Sequence, residues 1–142
     1  MKKLSFIIAL LLVINITGFA QETKNEYDSY KIVFQLSNAD TNSHKALMKQ
    51  INNIKSTSPG TQIQVICHGP GLLFLQKNKT VVEQQINNAK AKGVEFAACE
   101  FSLKERKVSK EEILPSAKYV KAGILEIVKL QSEGWYYIKS GF

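Results

Sequence analysis

The sequence predicts an α/β domain built on a five-stranded parallel sheet with helices on both faces. Three observations carry that expectation. Five short apolar runs, Lys31–Leu36, Gln62–Cys67 and residues 94–99, 118–121 and 135–139, are rich in branched and aromatic side chains. Between them lie segments whose apolar residues recur at helical spacing. The junctions are marked by capping residues, Gly and Pro, which stop one period and start the next.

Taken in order, residues 1–20 (MKKLSFIIALLLVINITGFA) have the three parts of a secretory signal: Lys2 and Lys3, an apolar middle, and the small-x-small end Gly18-Phe19-Ala20. The apolar run is shorter than the roughly 18 residues of a spanning helix, so cleavage and a secreted or periplasmic protein with no membrane span are expected. Residues 21–29 are polar and aperiodic and read as a flexible mature N-terminus, leaving residues 30–142 as a single domain.

Lys31–Leu36 is the first strand, ending in the cap-rich Ser37-Asn38-Ala39-Asp40. A helix follows over residues 42–55, with Ala46, Leu47, Ile51 and Ile54 on one face and Ser58-Pro59-Gly60 as its stop. Gln62–Cys67 is the second strand and opens into the turn His68-Gly69-Pro70-Gly71. A helix over residues 80–91 presents Val81, Val82, Ile86 and Ala89 before Gly93, and the third strand, residues 94–99, ends at Cys99.

Ser102 with Glu105, and Ser109 with Glu112, match the reciprocal capping pattern and predict short helices at residues 102–107 and 109–114. After a short strand at residues 118–121, residues 122–132 carry Ile124, Leu125, Ile127, Val128 and Leu130 around most of the circumference. That pattern predicts a helix buried on more than one side. An aromatic strand, WYYIK, closes the domain.

Charge and cysteine usage narrow the function classes. The chain carries +7, and +5 once Lys2 and Lys3 leave with the signal. The remaining cations are interleaved with Glu, the pattern of solvated helix faces, and an exported protein has no routine nucleic-acid partner. Two cysteines are too few for a disulfide scaffold. No C-x-x-C or H-x-x-x-H spacing occurs, so no metal is expected, and the GPG turn lacks the G-x-G-x-x-G of a dinucleotide site, so no cofactor is expected either.

In a parallel sheet with right-handed crossovers every strand ends at the same rim, where ligands of such sheets bind. Asn38, His68 and Cys99 all end strands, and Cys67, Gly69 and Gly71 flank His68. Cys99 precedes a helix start, a setting that favours thiolate over thiol. Neighbouring strand ends lie close enough for Cys67 and Cys99 to bridge.

The order of Cys67-His68-Gly69-Pro70-Gly71, of Gly93-Val94 leading to Ala98-Cys99, and of Ala122-Gly123 through Leu130-Gln131 to Glu133-Gly134 resembles the DsrE-like sulfur-relay family. The resemblance implies a three-layer α/β/α sandwich, flavodoxin-like in general architecture, assembled as a homotrimer or homohexamer. It also implies that Cys99 corresponds to the cysteine that holds a persulfide in sulfur-carrying members, with a sulfur donor or acceptor protein as partner. Two functional readings follow: a carrier of sulfur or redox equivalents on Cys99, with Asn38, Cys67, His68, Gly69 and Gly71 lining its pocket, or a non-enzymatic binding module with structural cysteines.

Overall fold

A computed structural model describes residues 25–141, so the expected signal at residues 1–20 lies outside the described residues. The sheet has five strands: β1 (Lys31–Leu36), β2 (Gln62–Cys67), β3 (Glu95–Cys99), β4 (Lys118–Val120) and β5 (Tyr136–Ser140). All neighbours are parallel, in the order β4-β3-β2-β1-β5. Four α-helices connect them: α1 (Thr41–Thr57), α2 (Glu83–Ala91), α3 (Glu100–Glu105) and α4 (Gly123–Ser132).

The strand order dictates which helices cover which face. From β1 to β4 the chain steps in one direction across the sheet, and right-handed crossovers keep those connections on one side. The step from β4 back to β5 runs the other way, so α4 alone crosses the opposite side. The strands alternate accordingly. Phe34, Leu36, Val65, Cys67, Phe96 and Ala98 enter the large core under α1 and α2, whereas Val33, Ile66 and Ala97 pack against Ile127 and Leu130 of α4. Because the β3 and β4 connections leave to opposite faces, the C-terminal ends of those two strands form the switch point at which sheets of this kind open a crevice.

Three local expectations are corrected and one open segment is filled. Residues 25–29 are ordered: a 3-10 turn at Glu26–Ser29 is tied down by Asn25 Nδ2 to the Thr57 carbonyl (2.6 Å) and by Ser58 Oγ and the Gly60 N–H to Asp28 Oδ1. Residues 72–75, for which the sequence pattern fixes no element, continue the expected turn as a 3-10 segment that buries Leu72, Phe74 and Leu75. The α3 helix starts two residues before the expected cap, with Cys99 as its N-cap and Ser102 in its interior. Finally, α4 buries Ile127 and Leu130 but leaves Leu125 68% and Val128 56% exposed, since no second layer covers it. The Ser109–Glu112 capping box forms as expected, on a 3-10 turn at Lys110–Glu112. No helix among the described residues is long and apolar enough to cross a membrane.

Candidate functional site around Cys99

Cys99 ends β3 at the crevice where the connections diverge, and it is 4% exposed. Its Sγ accepts the Gly123 backbone N–H at 3.2 Å, a donor supplied by the first turn of α4 across the crevice. The two connections are stitched together beside it, where the Phe101 N–H donates to the Lys121 carbonyl at 3.3 Å. Ser102, one turn into α3, accepts the Gly69 N–H on its Oγ at 2.8 Å.

These contacts decide the state of the thiol. Burial pushes its pKa up, as for any group losing water. The Ser102 hydroxyl and the backbone N–H groups of Gly123, Ser102 and Phe101 push it down, and together they win, leaving Cys99 below the ordinary thiol range. Glu100 is drawn away to Lys110 at 2.5 Å, which blunts the opposition its charge would offer a neighbouring thiolate.

Cys67 is the opposite case. It is fully buried, and burial alone drives its thiol far above the ordinary range. Cys67 pairs with Ala98 in the β2–β3 register, so Cys99, one residue further, projects through the other face of the sheet. Both thiols are free. The bridge allowed by neighbouring strand ends is therefore removed by the register.

His68 lies on the Cys99 side. A Cβ placed on Gly123 would stand 3.2 Å from His68 Cβ and 3.3 Å from Cys99 Cβ, so only glycine lets α4 enter between them at this closeness. Burial lowers the His68 pKa and keeps the ring neutral. Its Nε2 lies 2.8 Å from Gln35 Nε2, and Gln35 Oε1 in turn accepts the Tyr137 hydroxyl. An amide nitrogen can only donate, so His68 Nε2 accepts and the ring proton sits on Nδ1.

The remaining expected site residues fall elsewhere. Gly69 takes a left-handed backbone (φ +52°) and presents its N–H to Ser102. Gly71 is a packing residue: a Cβ there would lie 2.2 Å from the Leu36 carbonyl oxygen. Asn38 belongs to the β1–α1 turn, where its Oδ1 caps the Asp40 N–H and its carbonyl meets His44 Nε2 at 2.9 Å. No contact joins it to Cys99 among the described residues, and β2 lies between their strands.

Sequence reasoning read Ser102 only as a helix cap, Gly123 only as part of a family resemblance and Tyr137 only as part of an aromatic strand, and it gave Gln35 no role. A glycine opening a helix in a position without a side-chain cap was the one available signal for Gly123. Among the described residues no three His, Cys, Asp or Glu side chains converge on a metal-sized site.

Comparison with known proteins agrees with this architecture. A solved structure, a protein of unknown function from Methanobacterium thermoautotrophicum, superposes with a TM-score of 0.74 at 24% identity, covering 78% of this chain and 98% of the other. At that identity the likeness establishes the fold. Among curated protein sequences none matches significantly. The sequence profile of the DsrE/DsrF-like family matches residues 25–140, the whole of the sheet and its helices, and the chain is a member of that family.

Proposed function

We propose that this protein carries a sulfane sulfur on Cys99. The observation that supports the reading is the set of donors converging on Sγ, Gly123 N–H and the Ser102 hydroxyl foremost, which favour a thiolate on a largely buried sulfur. The thiolate attacks the outer sulfur of a donor persulfide, R–S–SH. The donor S–S bond breaks, R–S⁻ leaves, and a new S–S bond forms on Cys99. An acceptor thiolate then attacks the outer sulfur of the Cys99 persulfide and releases the Cys99 thiolate, with no net oxidation across the cycle.

The same reading includes export, resting on the signal-like residues 1–20, and assembly into a homotrimer or homohexamer. Assembly is supported by the apolar outer face of α4, where Ile124, Leu125 and Val128 stand exposed as a row that a neighbouring subunit would cover.

Incubation of the full chain with a persulfide donor, followed by intact mass and peptide mapping, tests the carrier role. A gain of about 32 Da on the Cys99 peptide, reversed by dithiothreitol, is expected. No gain on Cys99, with the protein folded, overturns it in favour of a non-enzymatic binding module.

A further inference from the structure

We propose that the open edge of β5 pairs with the β5 edge of a second copy of this chain, antiparallel, across a twofold axis. β5 is the last strand of the sheet, and only β1 pairs with it. Its outer row of backbone N–H and C=O groups has no partner among the described residues, and such a row is a template for another strand.

The devices that blunt a strand edge are largely missing here. The strand Tyr136–Ser140 holds no proline, and its register with β1 runs unbroken from Ile32 with Tyr136 to Leu36 with Ser140, so no bulge twists it away. No helix or loop covers it: Tyr136 is 63%, Ile138 41% and Tyr137 40% exposed. Tyr30, 42% exposed, extends this open apolar surface by packing edge-on against Tyr136 at 5.7 Å, and Tyr27 follows at 5.9 Å from Tyr30. At roughly 150–250 Å² for a whole aromatic side chain, the four tyrosines leave on the order of 400 Å² open. A biological contact needs about 500 Å² from each partner, and Ile138 with the strand's own backbone adds to the tyrosines.

The strand is complementary to itself, which favours a second copy over an unrelated strand. Side chains alternate, so Tyr136 and Ile138 share the α1 face while Tyr137 and Lys139 share the α4 face. With the twofold at Tyr137, Tyr136 falls opposite the partner's Ile138, Tyr137 opposite the partner's Tyr137, and Lys139 opposite the partner's Trp135. Apolar meets apolar on one face. On the other, the single charge of the strand meets an indole instead of its own copy. Antiparallel pairing points the two Cys99 rims in opposite directions, and β1 and β2 lie between β5 and β3, so the contact covers neither thiol. It is also separate from the ring proposed on the outer face of α4: a closed trimer repeats one contact, and a twofold doubles it to a hexamer.

Sedimentation equilibrium of the full chain tests the contact, with Ile138→Lys, which puts a charge in the middle of the edge, and Leu125→Lys on α4. An even number of copies is expected, a dimer or a hexamer. Ile138→Lys should halve the mass in either case with the thermal midpoint kept, and Leu125→Lys should yield the dimer. Should Ile138→Lys fail to fold, Tyr136→Lys, at a more exposed position of the same face, gives the same reading. A monomer or a trimer for the unaltered chain, or an undiminished mass for the folded edge variant, overturns the proposal and leaves β5 to a strand of another protein. Failure of the α4 ring alone shows as a dimer with the edge contact intact, and Cys99 persulfide formation has no bearing on these masses.

Discussion

The Gly69 N–H donates to Ser102 Oγ at 2.8 Å, and this fixes where the serine proton goes. A hydroxyl that accepts on one lone pair turns its single O–H toward the remaining acceptor, here Cys99 Sγ. The loop after β2 thereby reaches the thiol at the end of β3 through one intermediary. Ser102→Ala removes that donor and leaves the Gly69 N–H unpaired. Alkylation of Cys99 at neutral pH should slow on the order of tenfold, about what one hydrogen bond to a charged group contributes. Its rate-against-pH midpoint should move up. Ser102→Thr, which keeps the hydroxyl, should recover most of the rate; equal slowing in both variants sinks the assignment.

The two thiols act on stability in opposite directions. Cys99 is held below its ordinary value of 9.0, so it contributes stability present above pH 9.0 and lost as pH falls through its folded value. Cys67 is held above 9.0, so its contribution is complete below that pH and is lost as pH rises beyond it, when only the unfolded chain ionises. Urea unfolding across this range should give a rise toward pH 9.0 followed by a fall. Cys99→Ala should flatten the rising limb and Cys67→Ala the falling one, with Cys67→Ala costing about 1–2 kcal/mol throughout from the lost buried sulfur. Identical pH curves for the two variants would contradict these assignments.

Most of the architecture was legible because the three central strands, β1, β2 and β3, are covered on both faces and read as nearly uninterrupted apolar runs. What escaped reading depends on register and coverage. Cys67 and Cys99 end adjacent strands, yet Cys67 pairs with Ala98, and an offset of one residue that no local pattern encodes puts the thiols on opposite faces. Likewise Leu125 and Val128 carry a core-like pattern, but a single returning crossover leaves their side of α4 uncovered. Ser102 was misread because its spacing to Glu105 fits a capping box equally well whether Ser102 is the cap or the cap lies three residues earlier, at Cys99. The site fell partly out of reach for the same reason: Gly123 N–H comes from a segment 24 residues away.

Gly123 and Gly71 should differ sharply under the same substitution. A Cβ on Gly123 meets only side-chain carbons, at 3.2–3.3 Å, which can be relieved by a shift of a few tenths of an ångström at the start of α4. Gly123→Ala should cost about 1–3 kcal/mol and slow Cys99 alkylation as the N–H is drawn off the sulfur. A Cβ on Gly71 meets the Leu36 carbonyl oxygen at 2.2 Å and its carbon at 2.7 Å, backbone that cannot move without breaking the end of β1. Gly71→Ala should cost about 4 kcal/mol or more, in the range reserved for severe disruption. Thermal melts rank the two, and a milder Gly71→Ala overturns the close-packing role.

His68 gives the protein a second pH dependence, well below that of the thiols. Burial lowers its folded pKa beneath the ordinary 6.5, so between those values the unfolded chain binds the proton that the native state refuses. Stability therefore falls as pH drops through 6.5, and the loss ends once the folded ring protonates. Protonation also turns Nε2 from acceptor to donor facing the Gln35 amide nitrogen, breaking the chain that runs on to Tyr137. His68→Gln keeps a polar side chain but cannot titrate, and it should flatten the stability profile between pH 5 and 7. Tyr137→Phe removes only the far end of the chain; it should leave the sign of the slope intact while altering the His68 midpoint seen by NMR. A slope that survives His68→Gln would assign this titration to another group.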